Sequence, residues 1–186
     1  MLGQSDRKLL LTLAREQIEA PLENRQARPP APTPAVMVES AAFVTLHKRE
    51  GAARALRGCI GQIEATGTLY ETVKSTAHSA AFSDYRFPPL TMDELPAIEL
   101  EISVLSPLHR ITKPTEVQHG EGLFVRHGDR SGLLLPQVAT ERDWDRETFL
   151  TQTCRKAGLP GDSWQDSETE IYTFTAEVFD EASVGT

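Results

Sequence analysis

Long apolar runs are missing from this sequence. No stretch approaches the roughly 20 consecutive apolar residues that a membrane-spanning helix needs, so no membrane partner is expected. The N-terminus, Met1-Leu2-Gly3-Gln4-Ser5-Asp6-Arg7-Lys8, lacks a basic segment followed by an apolar one. No secretory signal is therefore expected, and the default compartment is the cytoplasm. Cysteine is scarce, with Cys59 and Cys154 alone. Two cysteines do not make a disulfide scaffold, nor a four-ligand zinc site without histidines. His47, His78, His109, His119 and His127 fall into no CxxC or HExxH spacing, so no metal is expected. Dense basic runs are absent too. The net charge is −8, Arg54, Arg57, Arg86, Arg110, Arg126 and Arg130 are scattered, and a phosphate backbone would be repelled, so no nucleic acid is expected. The chain has no P-loop, no GxGxxG and no Ser-His-Asp order, and no cofactor or catalytic carboxylate pair is assigned.

What is present is an ordinary globular composition, 39% apolar over 186 residues, which suits a single domain spanning 1–186. Leu9, Leu10, Leu13, Ala14 and Ile18 recur at helical spacing, with Ser5 or Asp6 as cap and Pro21 as stop. Residues 20–35 hold four prolines between Pro29 and Pro34 and read as an extended connector inside the domain. Ala41 to Lys48 and Arg54 to Ile60 read as a hairpin around a turn at Arg49–Ala53. Thr68 and Glu71 form a capping box for a helix to about Ser83, and Thr91 with Glu94 a second box for a single turn. Ile98, Leu100, Ile102 and Val104 alternate with Glu99, Glu101 and Ser103, the mark of an antiparallel strand with one wet face.

Further on, Gly122–His127 and Gly132–Leu135 suggest a hairpin. Asp143 or Asp145 caps a helix that ends near Ala157, with Gly158 in the left-handed position. Glu170 to Phe179 closes the chain as one strand. Strands and helices mix without a βαβ rhythm, so the expected class is α+β.

One segment stands apart: Leu56-Arg57-Gly58-Cys59-Ile60-Gly61, at the end of a strand. Glycines on both sides of Cys59 allow close approach of a backbone or a ligand. Arg57 carries a planar fork suited to a carboxylate or phosphate, and a cation near a thiol favours the nucleophilic thiolate. The same residues also fit a buried strand with a small apolar cysteine and a glycine bulge. Residue types alone leave both readings open. Cys154 follows Leu150 by one helical turn and is expected on the core face. His78 lies on the helix after the segment, Asp84 and Arg86 can form a local ion pair, and Gln137 is a candidate ligand hydrogen-bonder.

The segment Leu56–Gly61 resembles the signature of the AMMECR-type domain, whose bacterial and archaeal members are called AmmeMemoRadiSam system protein A. Ala42-Phe43-Val44-Thr45-Leu46 is similar to the strand before that signature, and Asp84-Tyr85-Arg86-Phe87-Pro88-Pro89-Leu90 to the family's D-x-RFPPL block. The stretches 99–107, 132–139 and 154–160 are similar to further blocks in the same order. The resemblance implies an α+β fold with an antiparallel sheet flanked by helices, a larger and a smaller lobe, and the signature lining a cleft between them. It also implies a Memo-like protein and a radical S-adenosylmethionine protein as partners. It implies no established reaction.

Two functions follow as expectations. In one, Cys59 is a reactive catalytic thiol, Arg57 holds an anionic substrate, and Gly58 and Gly61 shape the pocket, with Arg86 and Gln137 also contacting ligand. In the other, the signature belongs to a non-catalytic module that docks a Memo-like partner or a small ligand through the same cleft.

Overall fold

The computed structural model describes residues 1–51 and 53–185. Ala52, in the turn expected at Arg49–Ala53, lies outside them. The fold is α+β. The chain divides into two compact units, one built from Met1–Leu105 with Glu177–Thr186 and the other from Ser106–Ala176. Each unit holds one four-stranded antiparallel sheet.

In the first unit, helix α1 (Gln4–Leu22) is followed by the proline-rich connector. Strands β1 (Ala41–Glu50) and β2 (Ala53–Gly61) then form the expected hairpin, and helix α2 (Leu69–Phe82) and strand β3 (Ile98–Leu105) follow. The sheet is completed by β8 (Ala176–Asp180), in the order β2-β1-β3-β8, and the chain ends in helix α5 (Glu181–Val184). Alternation explains the layering. Val44 and Leu46 of β1 and Leu100 and Ile102 of β3 are fully buried against Leu10, Leu13 and Ile18 of α1 and Val73, Ala77 and Ala80 of α2. Residues one step out of phase, among them Thr45, Glu99 and Glu101, lie on the opposite face.

Helix α1 begins two or three residues earlier than its polar residues suggest. Its N-cap is Gly3, with no side-chain cap, and Pro21 falls within the last turn rather than ending the helix. Proline is tolerated there because its ring replaces only one hydrogen bond near a frayed end. Helix α2 starts as expected, with Thr68 accepting from the Glu71 N–H. The Thr91–Glu94 pair makes a turn, not a full box: the Thr91 N–H and hydroxyl both donate to Glu94, and a 3₁₀ turn at Leu95–Ala97 follows.

The second unit contains β4 (His109–Ile111), β5 (Gly122–His127), β6 (Arg130–Leu134), helix α3 (Pro136–Glu141), helix α4 (Arg146–Lys156) and β7 (Glu170–Phe174), with the sheet in the order β4-β7-β5-β6. Asp145 caps α4, accepting from the Thr148 N–H. Gly158 takes the left-handed conformation at φ 72°, while the Leu159 N–H donates to Cys154 O and the Gly158 N–H to Arg155 O, a Schellman closure.

Pro136, whose fixed φ suits a first helical turn, opens α3. One expectation is corrected here: Glu170–Phe179 is not one strand. Thr175 interrupts it, exchanging hydrogen bonds with Ser106 in both directions, so β7 and β8 belong to different sheets.

Candidate functional site

The signature occupies the second half of β2, and a register shift decides where its side chains go. Gly58 pairs with Leu46 and Leu56 with His47, so Arg57 is opposite no residue of β1. This β-bulge breaks the two-residue alternation. Without it, Arg57 and Cys59 would share a face. With it, Arg57 turns to the helix side beside Gly58, while Cys59 stays on the outer face opposite Thr45.

Arg57 is a buried cation, 6% exposed. Its Nε and Nη2 donate to the two carboxylate oxygens of Glu94 at 2.9 and 2.8 Å, and Nη2 also donates to Pro88 O at 3.0 Å. Lys48 Nζ reaches the same carboxylate at 3.2 Å. The Arg57 fork drives the Glu94 carboxyl from its ordinary 4.5 to about 2, with Lys48 and the Thr91 N–H adding to the effect against partial burial. The anion that the Arg57 fork was expected to hold is thus supplied from within the chain.

Gly58 is required by that packing. A β-carbon there would overlap the Ala80 carbonyl oxygen of α2, and one at Gly61 would fall inside the Phe43 ring. Both glycines make room for protein atoms.

The second cluster surrounds Cys59. Asp84, 4% exposed, accepts the Cys59 N–H at 2.9 Å. Arg86 donates through Nε and Nη2 to Asp84 at 2.9 and 2.6 Å and through Nη2 to Cys59 O at 3.1 Å. The ion pair expected between Asp84 and Arg86 is present, and it also grips the outward edge of β2. The Arg86 guanidinium holds the Asp84 carboxyl well below the usual carboxylate range, helped by the Cys59 N–H. Phe87 joins the two clusters, its ring centre 5.7 Å from the Arg57 guanidinium carbon and 5.5 Å from that of Arg86. Between them, Tyr85 is 94% exposed.

The thiol itself is half-buried. Thr45 Oγ1 donates to Cys59 Sγ at 3.3 Å. Burial pushes the Cys59 thiol up from its ordinary 9.0; the Thr45 hydroxyl and Arg86 pull it down without cancelling that, and Asp84 and Glu101 push it further up. Iodoacetamide is expected to modify Cys59 slowly, with a midpoint in the pH–rate profile above 9.0. Cys154, fully buried in α4, is expected to react only in denaturant. Mass spectrometry of peptides after timed quenching checks both.

The other sequence candidates are dispersed. His78 lies exposed on α2 with its ring 5.0 Å from that of Phe82. Gln137 belongs to the second unit, in the first turn of α3, with its Oε1 buried and without a hydrogen-bond partner among the described residues. Among those residues no group of three or more His, Cys, Asp or Glu is close enough to hold a metal ion, and no helix is long and apolar enough to cross a membrane. Sequence reasoning missed Glu94 as the Arg57 partner, and it missed Thr45 and Glu101 as groups that act on the thiol. The polar face of β3 was visible in its alternation, though Glu99 and Glu101 are half-buried there and Ser103 buried rather than wet; the 37-residue reach from Arg57 to Glu94 had no local signal.

An α+β fold with two antiparallel sheets, a bulged Arg-Gly-Cys-Ile-Gly strand and an Asp-x-Arg-Phe-Pro-Pro loop closing its edge defines one class of protein. The AMMECR1 family model matches residues 11–179, and the chain belongs to the AMMECR1 family. It is 46% identical to a protein of Thermococcus gammatolerans over 94% of this chain and 89% of the relative. It is 41% identical to one of Methanothermobacter thermautotrophicus, over 97% and 96%. The crystal structure of uncharacterised protein PH0010 from Pyrococcus horikoshii is similar with a TM-score of 0.89 and 39% identity, covering 99% of this chain and 95% of that one.

Proposed function

We propose that this chain is a non-catalytic binding module of the cytoplasm, acting beside a Memo-like protein and a radical S-adenosylmethionine protein, the setting that the family resemblance implies. The observation that carries this reading is the commitment of the signature's cations. Arg57 is spent on Glu94 and Arg86 on Asp84 and the Cys59 carbonyl, and the pull of Arg86 on the thiol does not offset the burial that keeps it protonated. A catalytic cysteine needs the reverse arrangement. Two free cysteines suit a reducing compartment. The exposed Tyr85, backed by the rigid Asp84–Arg86 pair, is the kind of anchor that interfaces use.

The test is a titration of the purified chain with a Memo-like protein and a radical S-adenosylmethionine protein from the same organism. Cys59→Ser is expected to bind within about threefold of the natural chain, and Tyr85→Ala to bind at least about tenfold more weakly, as loss of an interface anchor does. If Cys59→Ser abolishes turnover of the reconstituted system while the fold is kept, the reading is overturned.

That outcome would favour a second reading, a thiol enzyme, for which one observation speaks. Cys59, Thr45 and Glu101 stand abreast on neighbouring strands, and in this reading Glu101 is the base, with the Thr45 hydroxyl that donates to Sγ between it and the thiol.

A further inference from the structure

The outer face of the first unit's sheet carries polar groups that the scaffold does not use. Thr45 of β1 pairs with Cys59 of β2 on one side and with Glu101 of β3 on the other. His47 follows Thr45 on the same face, and Ser103 follows Glu101. Two of these groups are buried orphans. Ser103 is 1% exposed, and among the described residues its Oγ has no hydrogen-bond partner. His47 Nε2 is likewise buried without one, its nearest charged neighbour being Glu101 Oε1 at 3.9 Å. Among the described residues, no hydrogen-bond donor reaches the Glu101 carboxylate.

The helix-facing side of this unit also has buried nitrogens without a partner among the described residues, Gln17 Nε2 and Arg57 Nη1, but its buried hydroxyls are bonded. There the Thr72 hydroxyl donates to Ser40 O and the Thr76 hydroxyl to Thr72 O. Glu99, next to Glu101 on the outer face, is held by Arg49 and Arg54. Native proteins pair their buried polar groups, and clustered exceptions mark places where another molecule completes the set.

We propose that this face binds a small ligand bearing a protonated amine and a hydroxyl or carbonyl oxygen. The amine pairs with Glu101, and the oxygen group hydrogen-bonds to Ser103 with His47 Nε2 as the alternative contact. The class follows from charge. The face offers a carboxylate, two hydroxyls, an imidazole and a protonated thiol, and its neighbouring guanidinium, Arg86, is held by Asp84. The positive charge must therefore come with the ligand. Glu101 and Ser103 stand two residues apart on one strand, about 7 Å between their α-carbons, which suits an amine and an oxygen two or three bonds apart. This inference rests on the binding-module reading and names the ligand class of that module.

The test uses ethanolamine as the probe and ethylene glycol as its uncharged counterpart, followed by ¹H–¹⁵N shifts of the full chain. Ethanolamine is expected to saturate with shifts at His47, Cys59, Glu101 and Ser103, and ethylene glycol is not. Glu101→Gln, at a half-buried position that tolerates the isostere, is expected to weaken binding about tenfold or more, and Ser103→Ala severalfold. Unchanged affinity in Glu101→Gln, or shifts spread over unrelated surface carboxylates, overturns the proposal. So does no saturation at all. In each of these outcomes the partner titration above still decides, separately, whether the chain is a binding module.

Discussion

Removing the carboxylate of Glu94 is expected to cost about 3 kcal/mol of stability, read as a lower urea midpoint of the first unit's transition. The cause is the charge left behind. Arg57 is buried and bonded to Glu94 through two parallel hydrogen bonds. Breaking such a pair by deleting one partner strands an uncompensated ion, at about 3–5 kcal/mol when burial is complete; the partial exposure of Glu94 favours the low end. Glu94→Gln is expected to lose nearly as much as Glu94→Ala, because it keeps the volume and removes the charge. Arg57→Met added to Glu94→Gln is expected to recover part of the loss, since the stranded cation goes too.

Acid is expected to act in the same direction. The Glu94 carboxyl titrates at about 2 in the folded protein against an ordinary 4.5, so the unfolded chain takes up the proton first. Its contribution is whole above 4.5 and is lost as the pH falls toward 2. The Glu94→Gln variant is expected to lack that part of the acid slope.

Gly58→Ala is expected to cost about 3 kcal/mol, the upper range for inserting one carbon into a packed interior. The obstacle is the backbone carbonyl of Ala80 in the last turn of α2, which cannot swing aside as a side chain can. Relief requires β2 and α2 to separate, and α2 packs on both strands of the hairpin through Val73, Ala77 and Ala80. Chemical denaturation followed by far-ultraviolet circular dichroism checks the size of the effect. A change below about 0.5 kcal/mol, the scale of an ordinary surface substitution, would show that the strand and helix are not in this contact.

Much of the fold was legible. The apolar alternation of Ile98–Val104, the Thr68–Glu71 cap and the Gly158 closure each depend on residues close in sequence, and each formed where local chemistry put it. What escaped reading depended on distant atoms. The break at Thr175 is set by Ser106, 69 residues away. The site suffered the same way. Its position on β2 was visible, but the assumption that Arg57 and Cys59 act together failed on one unpaired residue. His47 pairs with Leu56 while Leu46 pairs with Gly58; a bulge at the glycines was one of the two open readings, but no spacing within Leu56–Gly61 puts its extra residue at Arg57. The Asp84–Arg86 pair was foreseen as local; its grip on the Cys59 backbone was not.

That grip has a consequence for how the protein behaves in a crowd. β2 is the border strand of its sheet, and border strands invite foreign chains to continue the ladder. At Cys59 the invitation is withdrawn: a carboxylate already holds the N–H and a guanidinium the carbonyl, the two contacts a neighbouring strand would have made. Two side chains stand in for a strand that never arrives, and the sheet cannot grow from one molecule into the next through its own signature.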